Sequence, residues 1–372
     1  MGIKDLHKVL SSLERNCSVQ LFKDLNVGID GHGWLYRSAA RTSKYYALEQ
    51  QNILAKQAQN MGQHQIAQPT TNPQQFIPPT ELVVQESLKF FISEIKNMLN
   101  KDVNKVILVF DGDRIPIKQL ASNARKKKKK QQKNHVKITK DMYISLSRHL
   151  KREFSDETKF QIIHAPYEAD AQLGYLYQNN IIDIAISEDY DLLCYGCKHV
   201  FSKYTAGGDG ILIDARHLYA CDWKPYKNFG TWTDDMFLTF CILCGCDYLD
   251  RLPLVGPVKA FDSVNAYKTI DKIMKSWENN GSIQNIPENY LNNFRRSRLT
   301  FLHAIIIDKN NQRVHLNTVK NEDLKYIGNY LGTINKNHHG TGVDHSSNKK
   351  HNLVSSSLST INHGRYSKRQ RF

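Results

Sequence analysis

The sequence predicts an α/β fold in which a mostly parallel central sheet is covered by helices on both faces. Short aliphatic runs alternate along the chain with segments of helical apolar spacing, and strands that alternate with helices in this way usually pair in parallel. The length and composition of the chain are consistent with this fold class. Of its 372 residues 40% are hydrophobic and 10% are aromatic, which suffices for one large α/β domain with an ample core.

Four aliphatic runs are the predicted strands, and apolar positions at helical spacing mark helices among the segments between and after them. The strands are expected at residues 25–30, 105–111, 160–166 and 181–187. The helices are expected from about residue 34 onward and at residues 81–99, 141–151, 168–177 and 234–244. Parallel neighbours need such long crossover connections, which a two-residue hairpin cannot provide.

Three segments differ from this pattern in composition. Residues 47–80 are rich in Gln and Asn and end in two prolines, which predicts a flexible insertion. Residues 125–130 read RKKKKK, the densest block of charge in the chain; this block is expected to be a mobile, solvated charge run in the free protein and to become ordered when it binds an anionic partner. The polar and basic residues 336–372 are expected to form a disordered tail.

The charge of the chain indicates a polyanionic partner. Lys and Arg total 51 and Asp and Glu total 36, which leaves a net charge of +15. A surplus of this size most often serves nucleic-acid binding, the alternative being solubility alone. No apolar run approaches the roughly 20 residues needed to span a bilayer, and the start, MGIKDLHKVL, lacks the pattern of a secretion signal. The seven cysteines are therefore expected to be reduced intracellular thiols.

Acidic residues stand where the predicted strands end. Because the carboxyl ends of parallel strands share one edge of the sheet, these side chains are expected to converge, and carboxylates crowded in one crevice need cations to remain ionised. Mg²⁺ and Mn²⁺ prefer such ligands, and seven acids suit two ions about 4 Å apart that clamp a phosphate under displacement. The alternative for any single one is a helix or turn cap. The candidate ligands are Asp30, Asp111, Glu168, Asp170, Asp189, Asp191 and Asp247.

These residues lie in motifs through which the chain resembles the XPG-like 5′ nucleases, the group that includes flap endonuclease and exonuclease 1. The motifs are MGI at the N-terminus, LVFDGD around Asp111, APYEADAQL around Glu168, ISEDYDLLCYGC around Asp189 and CILCGCDYL around Asp247. Within that family the chain is most similar to the exonuclease 1 branch, through CYGCK, CILCGCDY and the stretch from FRRSRLTFLHAII to about Gly332.

The resemblance implies a nuclease domain over residues 1–335, with a PIN-like core, a basic helical arch over residues 112–150 and a helix–two-turn–helix over residues 235–275. It implies a Mg²⁺-dependent enzyme that hydrolyses DNA at 5′ ends, nicks or flaps and acts as a nuclear monomer in mismatch repair and recombination. The long C-terminal region through which exonuclease 1 proteins meet mismatch-repair partners is almost wholly absent from this sequence, which leaves such contacts an open question.

The resemblance also assigns roles to individual residues. It implies that the first ion is bound by Asp30, Asp111, Glu168 and Asp170, and the second by Asp189, Asp191 and Asp247. Lys118 and Arg125 match a basic pair that approaches the scissile phosphate, where a cation stabilises charge as the bond breaks. The candidate catalytic residues are Lys118, Arg125, Asp30 and Asp111. The candidate DNA contacts are Gly2, His32, Tyr36, Lys118, Arg125, Gly256 and Lys259.

Three positions depart from the family pattern. Leu254 replaces the first glycine of the Gly-x-Gly hairpin that ends at Gly256, which predicts the loss of a turn with positive φ or of a close backbone approach. Either change would weaken duplex binding and the potassium site that the family carries there. His32 replaces a tyrosine that supports the unpaired base, and it would stack less strongly. Tyr36 replaces a histidine of exonuclease 1 and is expected to act as a stacking wedge.

Two alternative functions remain. One is a flap endonuclease of replication and repair. The other is a DNA-binding module without catalysis, stabilised by zinc at Cys194-x-x-Cys197 and Cys241-x-x-Cys244 with Cys246 nearby, because CxxC pairs are a zinc signal. Against zinc, Cys241 and Cys244 lie in an apolar helical segment, where small buried thiols pack well.

Overall fold

The computed structural model of this chain describes residues 2–60, 76–120 and 136–334, apart from positions 221, 224–226, 322, 324–326, 328 and 329. Within these residues seven strands form one sheet in the order β1-β7-β6-β5-β2-β3-β4. The strands are β1 (Glu14–Ser18), β2 (Asn26–Asp30), β3 (Lys105–Phe110), β4 (Phe160–His164), β5 (Ile184–Ile186), β6 (His199–Ser202) and β7 (Asp209–Asp214). Strands β6, β5, β2, β3 and β4 run parallel, and β7 pairs antiparallel with β6 and β1. The predicted mostly parallel sheet is confirmed.

Helices of the described residues cover this sheet and extend beyond it. They are α1 (Leu6–Val9), α2 (Gly31–Asn60), α3 (Thr80–Asn100), α4 (Ile117–Leu120), α5 (Lys140–Glu153), α6 (Ala169–Gln178), α7 (Asp234–Cys244), α8 (Pro257–Tyr267), α9 (Ile270–Asn280) and α10 (Tyr290–His303). Each helix and strand that the sequence predicts is present, with its ends shifted by a few residues. None of the helices described is both long enough and apolar enough to cross a bilayer.

Two hydrophobic cores lie on opposite faces of the sheet, and β3 shows how the sequence produces them. Side chains alternate between the faces of a strand, so Ile107 and Val109 of β3 join the core beneath α6, whereas Val106 and Leu108 join the core beneath α2, α3 and α5. All of these β3 side chains are fully buried. A strand buried on both faces reads as a continuous aliphatic run, which is why KVILVF signals it so clearly.

Helix α2 is longer than the sequence indicated. The prediction of a flexible insertion over residues 47–80 is wrong for residues 47–60, which continue α2 without a break to Asn60. The remainder of that segment up to residue 75 lies outside the described residues, and Pro79 forms the N-cap of α3. The RKKKKK block and residues 336–372 also lie outside the described residues.

Helices α7 to α10 and a two-stranded hairpin, β8 (Ile305–Ile307) and β9 (Arg313–His315), form a second layer against the α6 side of the sheet. The fully buried Gln172 of α6 joins the two layers, since its amide nitrogen donates to the carbonyl of Ile307 and its amide oxygen accepts from the Ile307 N–H, both at 2.8 Å. A buried amide needs both partners, so this contact fixes the hairpin relative to α6.

Candidate active site

The predicted acidic residues meet in one pocket at the carboxyl edge of the parallel strands. The pocket has a volume of about 190 Å³. Its acidic lining comprises Asp30, Asp111, Glu168, Asp170, Glu188, Asp189, Asp191 and Asp247. The predicted convergence of the seven candidate ligands is therefore observed, and Glu188 joins them.

Asp30 and Asp111 are held by backbone and hydroxyl donors. Asp30 ends β2; its carboxylate accepts from the Gly33 N–H at 2.9 Å and from the Ser187 hydroxyl at 3.3 Å. Asp111 follows β3 and accepts from the Ala169 N–H at 2.7 Å. That N–H belongs to the first turn of α6, where backbone donors point outward and favour negative charge. Both carboxylates thus have fixed orientations before any ligand binds.

Asp189 and Asp191 lie in the short 3₁₀ turn at Tyr190–Leu193 that follows β5. Asp189 caps this turn by accepting from the Asp191 N–H at 3.1 Å, and the buried Asp191 accepts from the Ile3 N–H at 2.7 Å. The N-terminal segment therefore forms part of the pocket wall. Gly2 has φ = 95°, and a Cβ placed there would lie 2.0 Å from Oδ1 of Asp189, so only glycine fits.

The pocket is electrostatically strained without cations. Burial raises the pKa of Asp30 to about 7, and the charge of Asp111 adds to this. Burial also raises the pKa of Asp170 and Asp191 well above the usual value, and neighbouring carboxylates add to both. Crowded buried carboxylates behave in this way unless positive charge stands among them.

Lys118 supplies one such charge. Its ammonium lies 2.5 Å from Oε2 of Glu168 and 3.2 Å from Oδ2 of Asp247, and 5.8 Å from the ring centre of Tyr248. Although burial opposes it, the charges of Glu168 and Asp247 hold the pKa of Lys118 above its usual value. The lysine is therefore charged, and it joins the carboxylate that precedes α6 to the one that follows α7.

The donor set fits hard divalent cations with water in part of their coordination shell. Among the residues that the structure describes, no three His, Cys, Asp or Glu side chains close around a single point. Two of the carboxylates, those of Glu168 and Asp247, instead face the ammonium of Lys118. Carboxylate oxygens without imidazole or thiolate are the preferred ligands of Mg²⁺, which keeps several waters.

His32 serves a role that the sequence did not reveal. Its Nδ1 accepts from the backbone N–H of Asp111 at 2.9 Å, and its ring lies edge-on to Phe110 and Tyr143. Burial lowers the pKa of His32, which agrees with the neutral ring that an accepting nitrogen requires. His32 thus positions Asp111, from which it is separated by 79 residues in the sequence. No local sequence pattern predicts this contact.

The other predicted DNA contacts are spread over two places. Tyr36 lies at the rim of the acidic pocket with 53% of its surface exposed, which suits a stacking residue. Gly256 precedes α8 with open space around it, and the ammonium of Lys259 donates to the carbonyl of Ser282 at 2.8 Å. Arg125 lies outside the described residues.

The hairpin between α7 and α8 retains the strained turn. Leu254, which stands where the family has glycine, has φ = 65° and leaves 82% of its surface exposed. The surrounding groove is also lined by Lys4, Arg251 and Gly256. The predicted loss of a turn with positive φ is therefore wrong, because Leu254 itself adopts that conformation.

The cysteines do not form the arrangement that a zinc module needs. The thiol of Cys197 donates to the carbonyl of His199 at 3.4 Å, and burial raises the pKa of the Cys244 and Cys246 thiols. Zinc sites bind thiolates in a closed tetrahedral set, and no group of three or more possible metal ligands that includes these cysteines is found among the described residues. The geometry of the described cysteines gives no support to the alternative of a zinc-stabilised module.

Solved structures share this fold. The catalytic core of Rad2 in complex with DNA substrate superposes in two crystal forms, with TM-scores of 0.52 and 0.54 and sequence identities of 20% and 16%. The first covers 76% of this chain and 73% of the Rad2 chain, and the second covers 89% and 96%. This chain thus shares the fold of the catalytic core of Rad2.

Family models identify the family. The XPG N-terminal domain matches residues 1–133 and the XPG I-region matches residues 159–247; this chain belongs to the XPG-like 5′ nuclease family. Relatives include Exonuclease 1 of Xenopus laevis, 28% identical over 89% of this chain and 43% of the relative, and Exodeoxyribonuclease 1 of Saccharomyces cerevisiae, 28% identical over 81% and 40%. The chain thus spans less than half the length of these relatives.

Proposed function

We propose that this protein is a structure-dependent 5′→3′ DNA exonuclease with 5′ flap endonuclease capability, which hydrolyses phosphodiester bonds with the help of two Mg²⁺ ions. The observation that carries the proposal is the single pocket that seven candidate carboxylates line together with Lys118, whose ammonium faces Glu168 and Asp247. The names of the relatives, Exonuclease 1 and Exodeoxyribonuclease 1, support the same activity.

Asp30, Asp111, Glu168 and Asp170 would hold the first ion, and Asp189, Asp191 and Asp247 the second. When bound, the two ions activate water for attack and neutralise charge on the phosphate; Mn²⁺ is an alternative to Mg²⁺. The need for cations follows from the raised pKa of Asp30, Asp170 and Asp191.

The protein's own contribution is orientation and charge. Hydrogen bonds from the Gly33, Ala169 and Ile3 amides fix three of the carboxylates, so little reorganisation is needed when the substrate arrives. Lys118 is the cation placed to move from its carboxylate partners to a phosphoryl oxygen as negative charge develops there. Arg125 is proposed to act with it.

DNA would bind across the pocket and the hairpin. Tyr36 at the pocket rim would stack on an unpaired base, and a duplex would lie along the hairpin through Gly2, Lys259 and the N-terminus of α8 at Gly256. The surplus of 15 positive charges suits this polyanion. A potassium ion is proposed at the hairpin, and the enzyme is proposed to act as a monomer in the nucleus, in mismatch repair and recombination.

One assay tests the activity. End-labelled nicked, recessed and 5′-flapped duplexes are incubated with the full chain in Mg²⁺ or in chelator, and product lengths are measured. We expect short products from the 5′ end and excised flaps in Mg²⁺ and no products in chelator. Cleavage that persists in chelator, or no cleavage of any duplex in Mg²⁺ or Mn²⁺, would contradict the proposal. Flap cleavage without progressive shortening would instead favour the flap endonuclease alternative.

A further inference from the structure

Two buried tyrosines meet at the wall of the acidic pocket. Tyr248 directly follows Asp247 and lines the pocket, whereas Tyr195 follows the 3₁₀ turn that carries Asp191. Their hydroxyl oxygens lie 2.5 Å apart, although 53 positions separate the two residues in the sequence. One hydroxyl donates and the other accepts at this distance. The bond therefore joins the segment that carries Asp191 to the segment that carries Asp247.

Packing also restrains both tyrosine rings. Phe301 of α10 lies against each of them, with ring centres 5.1 Å from that of Tyr195 and 5.0 Å from that of Tyr248. All three side chains are at most 5% exposed. The side-chain amide of Gln178 donates to the carbonyl of Tyr195 at 2.7 Å, so α6 holds the backbone of Tyr195 as well. The Tyr248 ring is thus fixed by its hydroxyl on one side and by close packing on another.

The Tyr248 ring also meets the ammonium in the pocket. Nζ of Lys118 lies 5.8 Å from the ring centre, which is within the range of a cation–π interaction. Glu168 and Asp247 attract the same ammonium through their charges. An aromatic ring attracts a cation without carrying a formal charge, so it can remain in contact when the ammonium turns from these carboxylates toward a phosphoryl oxygen.

We propose that Tyr248 is a positioning residue for Lys118 and that the Tyr195 hydroxyl holds the Tyr248 ring in place. This inference deepens the proposed nuclease function and rests on it. The ring limits the positions of a long, flexible side chain, so that Lys118 reaches the scissile phosphate from one direction. Tyr195 acts only through Tyr248.

The effect of removing the Tyr195 hydroxyl follows from burial. In Tyr195→Phe the buried hydroxyl of Tyr248 loses its partner, which is costly for a buried polar group. The pocket that Tyr248 lines offers carboxylate oxygens as other acceptors, so the ring is expected to turn toward them and away from Lys118. A shift of about 1 Å in a reacting group can cost about 100-fold in rate, and we expect a loss of about tenfold here.

The test separates cleavage from binding. Single-turnover cleavage of a 5′-flapped duplex is measured at saturating enzyme in Mg²⁺, and DNA affinity is measured by fluorescence anisotropy. Tyr195→Phe should cleave about tenfold more slowly and bind DNA within about threefold of wild type. The double variant Tyr195→Phe/Tyr248→Phe should recover to within about threefold of the wild-type rate, because replacing both partners by apolar groups leaves no unpaired hydroxyl.

Two comparisons exclude a purely structural role. In a Lys118→Ala background, Tyr195→Phe should change the rate by less than about twofold, because its effect acts through Lys118. Tyr177→Phe removes an equally buried hydroxyl, which contacts Nδ1 of His199 at 3.0 Å near the other end of α6. This control should cleave as wild type does, whatever stability it loses in urea unfolding. A wild-type rate in Tyr195→Phe, no recovery in the double variant, or an undiminished effect without Lys118 would overturn the proposal.

A spectroscopic measurement keeps this inference separate from the nuclease function. In protein made with ¹³C-labelled lysine, the ε-methylene resonance of Lys118 is assigned by its absence in Lys118→Ala. The Tyr248 ring current should shift this resonance in wild type, and the shift should fall in Tyr195→Phe and return in the double variant. If wild type cleaves no duplex, the nuclease function fails instead, and the resonance still decides whether the pair positions Lys118. An unchanged resonance in Tyr195→Phe would overturn the positioning role.

Discussion

The acidic pocket and the α7–α8 hairpin respond differently to sequence change. In the pocket, each carboxylate of the family pattern is present, and amide donors hold Asp30, Asp111 and Asp191. In the hairpin, Leu254 stands where the resemblance leads us to expect glycine, and its backbone has φ = 65°. A pocket that is proposed to hold cations depends on charged side chains with no substitute, whereas a turn depends on a conformation that another residue can adopt at a moderate cost.

The largest effect is expected from Asp189→Ala. Removing a carboxylate that would hold the second ion should lower the single-turnover cleavage rate by about 10³-fold or more, equivalent to roughly 4 kcal/mol of activation free energy. DNA affinity, measured by fluorescence anisotropy, should change by less than about threefold because the binding surface remains. Asp209→Ala, a control at the exposed first residue of β7, should behave as wild type. Retained cleavage in Asp189→Ala would remove the basis of the pocket assignment.

Lys118→Ala should distinguish the acidic pocket from the hairpin by its separate effects on cleavage and on DNA binding. Loss of the cation should slow cleavage by about 100-fold and weaken DNA binding much less, because the ammonium lies among carboxylates and not on the exposed surface. Lys4→Ala, at the hairpin groove, should show the opposite: weaker binding with little change in the cleavage rate at saturating enzyme. If Lys118→Ala lost binding and cleavage equally, Lys118 would only position the backbone.

The pocket should also make the metal-free protein less stable as pH rises. The pKa of Asp30 is about 7 in the fold and near 3.9 when unfolded, so the folded state binds the proton more tightly. The stability that this proton contributes is present below about pH 4 and is lost as pH rises to about 7, at no more than about 1.4 kcal/mol per pH unit.

Urea unfolding in chelator at pH 5 and pH 8 measures this effect. Wild type should lose more stability between these pH values than Asp30→Asn, whose side chain does not titrate, and Mg²⁺ should restore stability more at pH 8 than at pH 5. Equal pH dependence in the two proteins would mean that Asp30 keeps an ordinary pKa. The hairpin variant Leu254→Gly should follow wild type here, because that turn carries no buried charge.

The parallel sheet and its acidic edge were predictable because they follow from local patterns. Continuous aliphatic runs identified strands buried on both faces, such as β3, and parallel topology alone brought the strand-end carboxylates together. Strands β1, β6 and β7 escaped prediction because none of them carries a continuous aliphatic run like that of β3, and β1 and β7 are partly exposed. The prediction of flexibility failed at residues 47–60 for another reason. Ala, Gln, Glu and Lys favour helix strongly, but a segment of this composition without an apolar stripe suggests flexibility.

The site was predictable in its residue types and not in its contacts. The sequence motifs predicted the carboxylates and Lys118, because the proposed reaction requires these residue types. The contact of His32 with the Asp111 backbone and that of Ile3 with Asp191 join positions 79 and 188 residues apart. Such contacts depend on tertiary packing, and no spacing in the sequence encodes them.

The smallest effect is expected at the hairpin, from Leu254→Gly. A non-glycine residue with φ near 65° costs about 1–2 kcal/mol, and glycine recovers this while losing about 0.5–1 kcal/mol to the greater freedom of the unfolded chain. The variant should therefore be more stable by about 0.5 kcal/mol in urea unfolding, because the side chain, 82% exposed, has little packing to lose. The neighbouring Val255 is buried, so Val255→Gly should destabilise by about 2 kcal/mol or more. Destabilisation by Leu254→Gly would show that Leu254 makes a stabilising contact, and the hairpin would then depend on its side chain as the pocket does.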